Sequence, residues 1–132
     1  MIGDESVNKL SQANILLVGL GGVGSYAGEF IVRAGVGKIT IIDGDIVDPT
    51  NINRQMQATH STIGLSKSAL LKQRFLDINP NLQLTAYDKF MEPEDMEKLF
   101  LDQEFDFVMD CIDSVTPKLT LLNTAVKSKS KI

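Results

Sequence analysis

The stretch Gly19-Leu20-Gly21-Gly22-Val23-Gly24-Ser25 lies between an apolar run and a helix-patterned segment, and its reading decides the fold. Before it, Asn14–Val18 (NILLV) is a short apolar run that stops at glycine; after it, residues 23–34 space their apolar side chains along one helical face. That order reads as strand, turn, helix. Gly19, Gly21 and Gly24 form GxGxxG at the turn, where glycines allow a tight bend and a close backbone approach. Phosphates can then rest on amide N–H groups at the positive end of the helix. Beyond Gly35-Val36-Gly37, the run Lys38–Ile42 (KITII) has the length and composition of a buried parallel strand and ends at Asp43. The three elements make one βαβ unit.

Working outward, residues 44–63 are polar, contain Pro49, and show no periodicity, which marks a long functional loop with room for a helical turn. Residues 65–78 carry apolar side chains at Leu65, Ala69, Leu70 and Leu76, and stop before Asn79-Pro80, as a helix does. Strands follow at 82–87 and 105–112, and helices at 93–101 and 117–126. This alternation predicts an α/β fold, Rossmann-like and doubly wound, with a mostly parallel sheet and helices on both faces. Ligands of such folds sit beyond the carboxyl ends of the strands. The 132 residues fit one domain with its own core.

Composition limits the function classes. The chain is 43% hydrophobic and 23% charged with four prolines, which describes a globular protein rather than a disordered one. A net charge of −4 argues weakly against non-specific nucleic-acid binding, while leaving room for a local basic face. Cys111 is the single cysteine, so this chain forms no internal disulfide and no four-cysteine zinc site, in keeping with a reducing cytoplasm. No apolar run reaches the ~18 residues of a membrane span.

The chemistry-bearing residues cluster at strand ends. Asp43 stands where a carboxylate accepts hydrogen bonds from a ribose in dinucleotide folds, a role equally compatible with NAD, FAD or ATP. Asp45 either shares that site or begins a solvated turn. Asn51-Ile52-Asn53-Arg54-Gln55 then places three amides and a guanidinium directly after the strand end. A dehydrogenase has no evident need for these. Attack on the α-phosphate of ATP does, because charge develops on phosphate oxygens that Arg54 can meet bidentately. Lys67, at the start of the next helix, could reach the same phosphates as a point charge. Taken singly, an arginine in a polar loop is more often solvated, and a lysine on an amphipathic helix more often marks its wet face. In Asp110-Cys111-Ile112-Asp113, Asp113 is placed either to hold a magnesium ion bridging phosphate oxygens or to cap the following helix. Asp110 reads as a supporting acid and Cys111 as a small buried hydrophobe. His60, the one histidine, has no metal-ligand or triad spacing around it and reads as a loop residue.

The series GLGGVGS, IIDGD, NINRQ, Gly64-Leu65-Ser66-Lys67, INP at 78–80 and DCIDS at 110–114 resembles the ThiF/MoeB/HesA family, relatives of the ubiquitin-activating enzymes. The resemblance runs from about Asn14 to the last residue. It implies binding of ATP with Mg²⁺ and adenylation of a carboxyl group with release of pyrophosphate. Gly22, with Gly19, Gly21 and Gly24, would lie against phosphates, and Asp43 would bind ribose, with Asp45 beside it. Asn51, Arg54, Gln55 and Lys67 would contact phosphates and promote the reaction, and Asp113 would hold magnesium. NINRQ followed by HSTIG, and IDSVTPK at 112–118, are most similar to the branch that cyclises threonylcarbamoyladenosine in tRNA. The other branch adenylates the C-terminus of a ubiquitin-like sulfur-carrier protein. The resemblance further implies a homodimer and a chain that continues beyond residue 132. It lacks one usual feature, an arginine within residues 1–13. An NAD- or FAD-dependent oxidoreductase and a non-catalytic nucleotide-binding module are the competing readings.

Overall fold

In the run Asn14–Val18 every residue after Asn14 is buried, and the run forms β1, an inner strand of a parallel sheet. The computed structural model describes residues 4–112, 121–122 and 124–125. The chain runs α1 (Asp4–Gln12), β1, α2 (Gly22–Ala34), β2 (Lys38–Ile42), α3 (Lys67–Ile78), β3 (Gln83–Tyr87), α4 (Pro93–Asp102) and β4 (Phe107–Asp110). Two 3₁₀ turns, Pro49–Asn51 and His60–Thr62, lie between β2 and α3. Residues 121, 122, 124 and 125 are helical.

The sheet order is β3-β2-β1-β4 and every pairing is parallel. The chain steps outward from β1 through β2 to β3, then returns to place β4 on the other side of β1. The reversal opens a crevice at the carboxyl ends of β1 and β4. Strand alternation separates two cores. Ile15 and Leu17 pack with Val32 of α2 and with Leu71 and Phe75 of α3. Leu16 and Val18 pack with Met96, Leu99 and Phe100 of α4 and with Leu121. Burial of each such side chain contributes roughly 1.5–3 kcal/mol. The doubly wound α/β fold expected from the alternation is the fold observed.

Helix ends follow local chemistry. Gly35, with φ +100°, closes α2 in the left-handed region that glycine enters without strain. Ser66 opens α3 by accepting a hydrogen bond from the Ala69 N–H at 3.2 Å. The two helices are tied together by Glu29, whose Oε1 accepts from Arg74 Nε at 3.0 Å and Nη2 at 2.9 Å.

Three boundaries differ from the sequence pattern. Helix α1 carries no long apolar run and was not anticipated; tertiary packing of Leu10 against the first core holds it. Helix α3 begins at Lys67 rather than at residue 65, because the Leu65 carbonyl accepts from the Val47 N–H at 2.9 Å. Strand β4 is shorter than 105–112: Phe105 turns into the second core and meets Phe100 edge-on, with ring centroids 5.3 Å apart. The helix expected at 117–126 falls largely outside the described residues. No described helix is long and apolar enough to cross a membrane.

Candidate functional site

Gly19 leaves β1 with φ +94°, and a Cβ there would lie 2.5 Å from the Cys111 carbonyl oxygen. A Cβ on Gly24 would lie 1.8 Å from the Gly19 carbonyl oxygen. These two glycines are therefore required by the crossing of backbone on backbone, whatever binds above them. At Gly22 an added Cβ would find only ordinary contact, 3.5 Å from the Arg54 carbonyl oxygen. Helix α2 starts at Gly22 behind Gly21, which offers no side-chain cap, so the helix presents its first amides and its positive end to a ligand.

Side chains build the facing wall. Asp48 accepts from the Thr50 N–H at 2.9 Å and from the Thr50 hydroxyl at 2.6 Å, while Asn51 Oδ1 accepts from the Asp48 N–H at 2.8 Å. This reciprocal cap folds the 3₁₀ turn. The Asn51 carbonyl then accepts the N–H groups of Arg54 and Gln55, at 3.1 and 2.9 Å, and aims both residues at the glycine loop. Arg54 is exposed, with Nη1 donating to the Thr50 carbonyl at 2.8 Å. Gln55 is buried. Lys67, also buried, donates its N–H to the Asp45 carbonyl at 3.1 Å, and its Nζ lies 3.8 Å from Asp45 Oδ2. Asp43 accepts from the Leu20 N–H and the Asp45 N–H, both at 2.7 Å. Burial nevertheless pushes the Asp43 carboxyl above its ordinary value, against the two backbone N–H groups and the Lys67 charge, with the Asp45 charge adding to the rise.

Two clefts meet over the glycine loop. One, of about 240 Å³, is lined by the polar side chains Asp43, Asp45 and Lys67 together with the apolar Ile42, Phe90 and Met96. The second, of about 490 Å³, is bounded by Gly22, Val23, Arg54 and Asp110. Gly21, Gln55, Cys111 and Ile112 line both, so the clefts form one groove. A cleft lined by apolar side chains and by Asp43 and Asp45, continuing to Arg54 at a helix N-terminus, suits the succession of base, sugar and phosphate in a nucleotide.

The structure brings Gly19, Gly21, Gly22, Asp43, Asp45, Arg54, Gln55 and Lys67 to this groove, with Gly24 beneath it. Burial of Lys67 removes the wet-face reading, and Arg54 is solvated but on the cleft rim. Asn51 lines neither cleft; its side-chain oxygen is taken by the cap, so it acts behind the site. Asp113 lies outside the described residues. Among those described, no group of three or more His, Cys, Asp or Glu side chains could hold a metal. Asp110 lines the second cleft, and its Oδ1 accepts from the Ile112 N–H at 3.2 Å. Cys111 is half-buried at the junction of the clefts rather than sealed in the core, a correction that goes with β4 ending at Asp110, two residues earlier than expected. His60 is exposed on its 3₁₀ turn and lines neither cleft. Sequence reasoning missed Lys89, Phe90 and Met91; their position just beyond the carboxyl end of β3 was the available signal.

A groove at the switch point of a 3-2-1-4 parallel sheet is the place where doubly wound α/β domains receive their ligands. The model of the ThiF family matches residues 1–132, and the chain belongs to that family. It is 40% identical over 126 residues to the tRNA threonylcarbamoyladenosine dehydratase of Bacillus subtilis, an alignment covering 96% of this chain and 49% of that protein. The adenylyltransferase and sulfurtransferase UBA4 of Candida glabrata is 37% identical over 118 residues, covering 89% of this chain and 27% of that protein. The crystal structure of the Escherichia coli tRNA N6-threonylcarbamoyladenosine dehydratase, TcdA, in complex with ATP superposes with a TM-score of 0.92 at 37% identity, covering 98% of this chain and 53% of that one. The chain thus spans about half the length of these bacterial dehydratases.

Proposed function

We propose that this chain forms the ATP-binding half of an adenylating enzyme that activates the carboxylate of threonylcarbamoyladenosine in tRNA so that it closes to a cyclic form. The observation that carries this reading is Lys67, 5% exposed and lining the same continuous groove as Arg54 and Gln55. An oxidoreductase would use the glycine loop and Asp43 and leave the desolvated Lys67 no task beyond its pairing with Asp45.

A nucleotide lies with its base between Phe90 and Met96, its ribose at Asp43, and its phosphates on the amides of Gly21 and Gly22. Asp43 receives a ribose hydroxyl on a carboxylate whose position is already fixed by two backbone N–H groups. A substrate carboxylate oxygen attacks the α-phosphorus, the bond to the bridging oxygen breaks, and pyrophosphate leaves. Arg54 and Lys67 meet the charge that grows on the phosphate oxygens. Internal attack on the acyl adenylate then closes the ring, and AMP departs. Magnesium would be held by Asp113 with phosphate oxygens and water, the few-carboxylate arrangement that Mg²⁺ favours, and would neutralise phosphate charge. The second reading, adenylation of a sulfur-carrier protein, is favoured by the similarity to UBA4.

The test uses the full-length gene product. AMP formation from ATP is expected with tRNA carrying threonylcarbamoyladenosine and not with a protein ending in Gly-Gly, and calorimetry is expected to show ATP·Mg²⁺ bound in preference to NAD. Arg54→Ala should lower the tRNA-dependent rate by about 100-fold or more. Preferential NAD binding would sink the reading, and AMP formation only with the Gly-Gly protein would transfer it to the second acceptor.

A further inference from the structure

Leu20 is the residue between the first two glycines of the loop, and both of its backbone polar groups are held by side chains. Its N–H donates to Asp43 Oδ2 at 2.7 Å, and its carbonyl accepts from Gln57 Nε2 at 2.7 Å. Gln57 is 6% exposed and lines neither cleft. The same Nε2 lies 3.5 Å from Gln55 Oε1, and the Gln57 carbonyl accepts from the Thr62 hydroxyl at 2.7 Å. One residue thus joins the glycine loop and the groove residue Gln55 through its side chain, and the 3₁₀ turn at His60–Thr62 through its backbone carbonyl.

The amide orientation follows from the partner: facing a carbonyl oxygen, only the nitrogen can bond. Gln57 Oε1 is then left buried without a partner among the described residues. Burying an unpaired acceptor is unfavourable, so an apolar residue would serve stability as well. The bond to Leu20 is what this glutamine adds.

We propose that Gln57 is a positioning residue that locks the glycine loop to the Asn51–Gln55 segment, so that the Gly21 amide and the Gln55 side chain face the same phosphate group. This rests on the nucleotide reading of the groove. Gln57→Met keeps the length and removes the donor together with the unpaired oxygen. One unpaired acceptor, Leu20 O, replaces another, so the thermal midpoint should move little while the loop loses its anchor.

Three measurements on wild type, Gln57→Met and Gln57→His test this. The Leu20 amide should exchange its hydrogen about tenfold faster in Gln57→Met without nucleotide, since opening of the loop is no longer opposed by the second clamp. The Kd for ATP·Mg²⁺ should rise about tenfold, the equivalent of one lost hydrogen bond, while that for adenosine, which lacks phosphates, should change less than about threefold. Gln57→His, which also places an Nε2–H within reach of Leu20, should restore both toward wild type. Unchanged Leu20 exchange in Gln57→Met, or equal losses for ATP and adenosine, overturns the proposal. So does a folded Gln57→His whose Leu20 exchange and ATP·Mg²⁺ Kd both rise about tenfold over wild type, a result that is decisive even if the methionine variant fails to fold. Failure of the wild type to bind ATP is a separate result, which sinks the adenylation reading whatever the exchange rates show.

Discussion

The two walls of the groove are built by opposite means. The glycine-loop wall is made of backbone, and its geometry is set by side chains that are missing: Gly19 and Gly24 leave room for main chain to cross main chain. The facing wall is made of side chains presented by a capped 3₁₀ turn and by the first residue of α3, and it depends on how those side chains are buried and bonded. A change at the crossing glycines of the first wall is felt by the fold, and a change in the second wall by the ligand.

The largest expected effect tests that division within the glycine loop itself. Gly24→Ala should cost about 3 kcal/mol or more in denaturant unfolding, because backbone must move to admit the methyl group. Gly22→Ala should leave stability unchanged or raise it by up to about 1 kcal/mol, since alanine suits a helix start with free space around it. It should nonetheless lower ATP affinity about tenfold by holding the phosphates off the amides. If both variants behaved alike, the division between packing glycines and ligand glycines would be lost.

Lys67→Met is the corresponding test of the other wall. A long apolar side chain fills the same space without a buried charge, so stability should change by less than about 1 kcal/mol, while ATP affinity falls at least about tenfold. Strong destabilisation with unaltered ATP binding would make Lys67 a structural partner of Asp45 alone.

The smallest effects are in pH dependence, where two carboxylates of the site, Asp48 and Asp43, differ in sign. Asp48 is exposed, and hydrogen bonds from the Thr50 hydroxyl and then its N–H hold its carboxyl below the ordinary 3.8. Its contribution to stability is present above the unfolded value and lost as the pH falls through the lower folded one. Asp43 is held above 3.8, chiefly by burial, so its contribution is present below the unfolded value and lost as the pH rises through the higher folded one. Urea unfolding between about pH 3 and 6 should therefore show opposite changes of slope in Asp48→Asn and Asp43→Asn. Slopes changing in the same direction would contradict the burial of Asp43.

Much of this site could be read from residue order. NILLV, GLGGVGS and KITII gave β1, the turn into α2, and β2 within a residue of their observed limits, because apolar runs and glycines act over a few neighbours. Helix α1 escaped notice because its stability comes from Leu10 docking on a distant core. Gln57 escaped because a glutamine in a polar loop looks solvated until Leu20, 37 residues earlier, is folded against it.

The sequence by itself determined a parallel α/β sheet, a glycine-rich turn at its switch point, and the residue types gathered at the strand ends. These depend on periodicity and local backbone freedom. Only the tertiary structure decided that Lys67 is desolvated, that Asn51 supports the site from behind, and that two clefts join into one groove over Gly21. Burial and through-space hydrogen bonds create those properties, and neither exists until segments far apart in the chain are packed together.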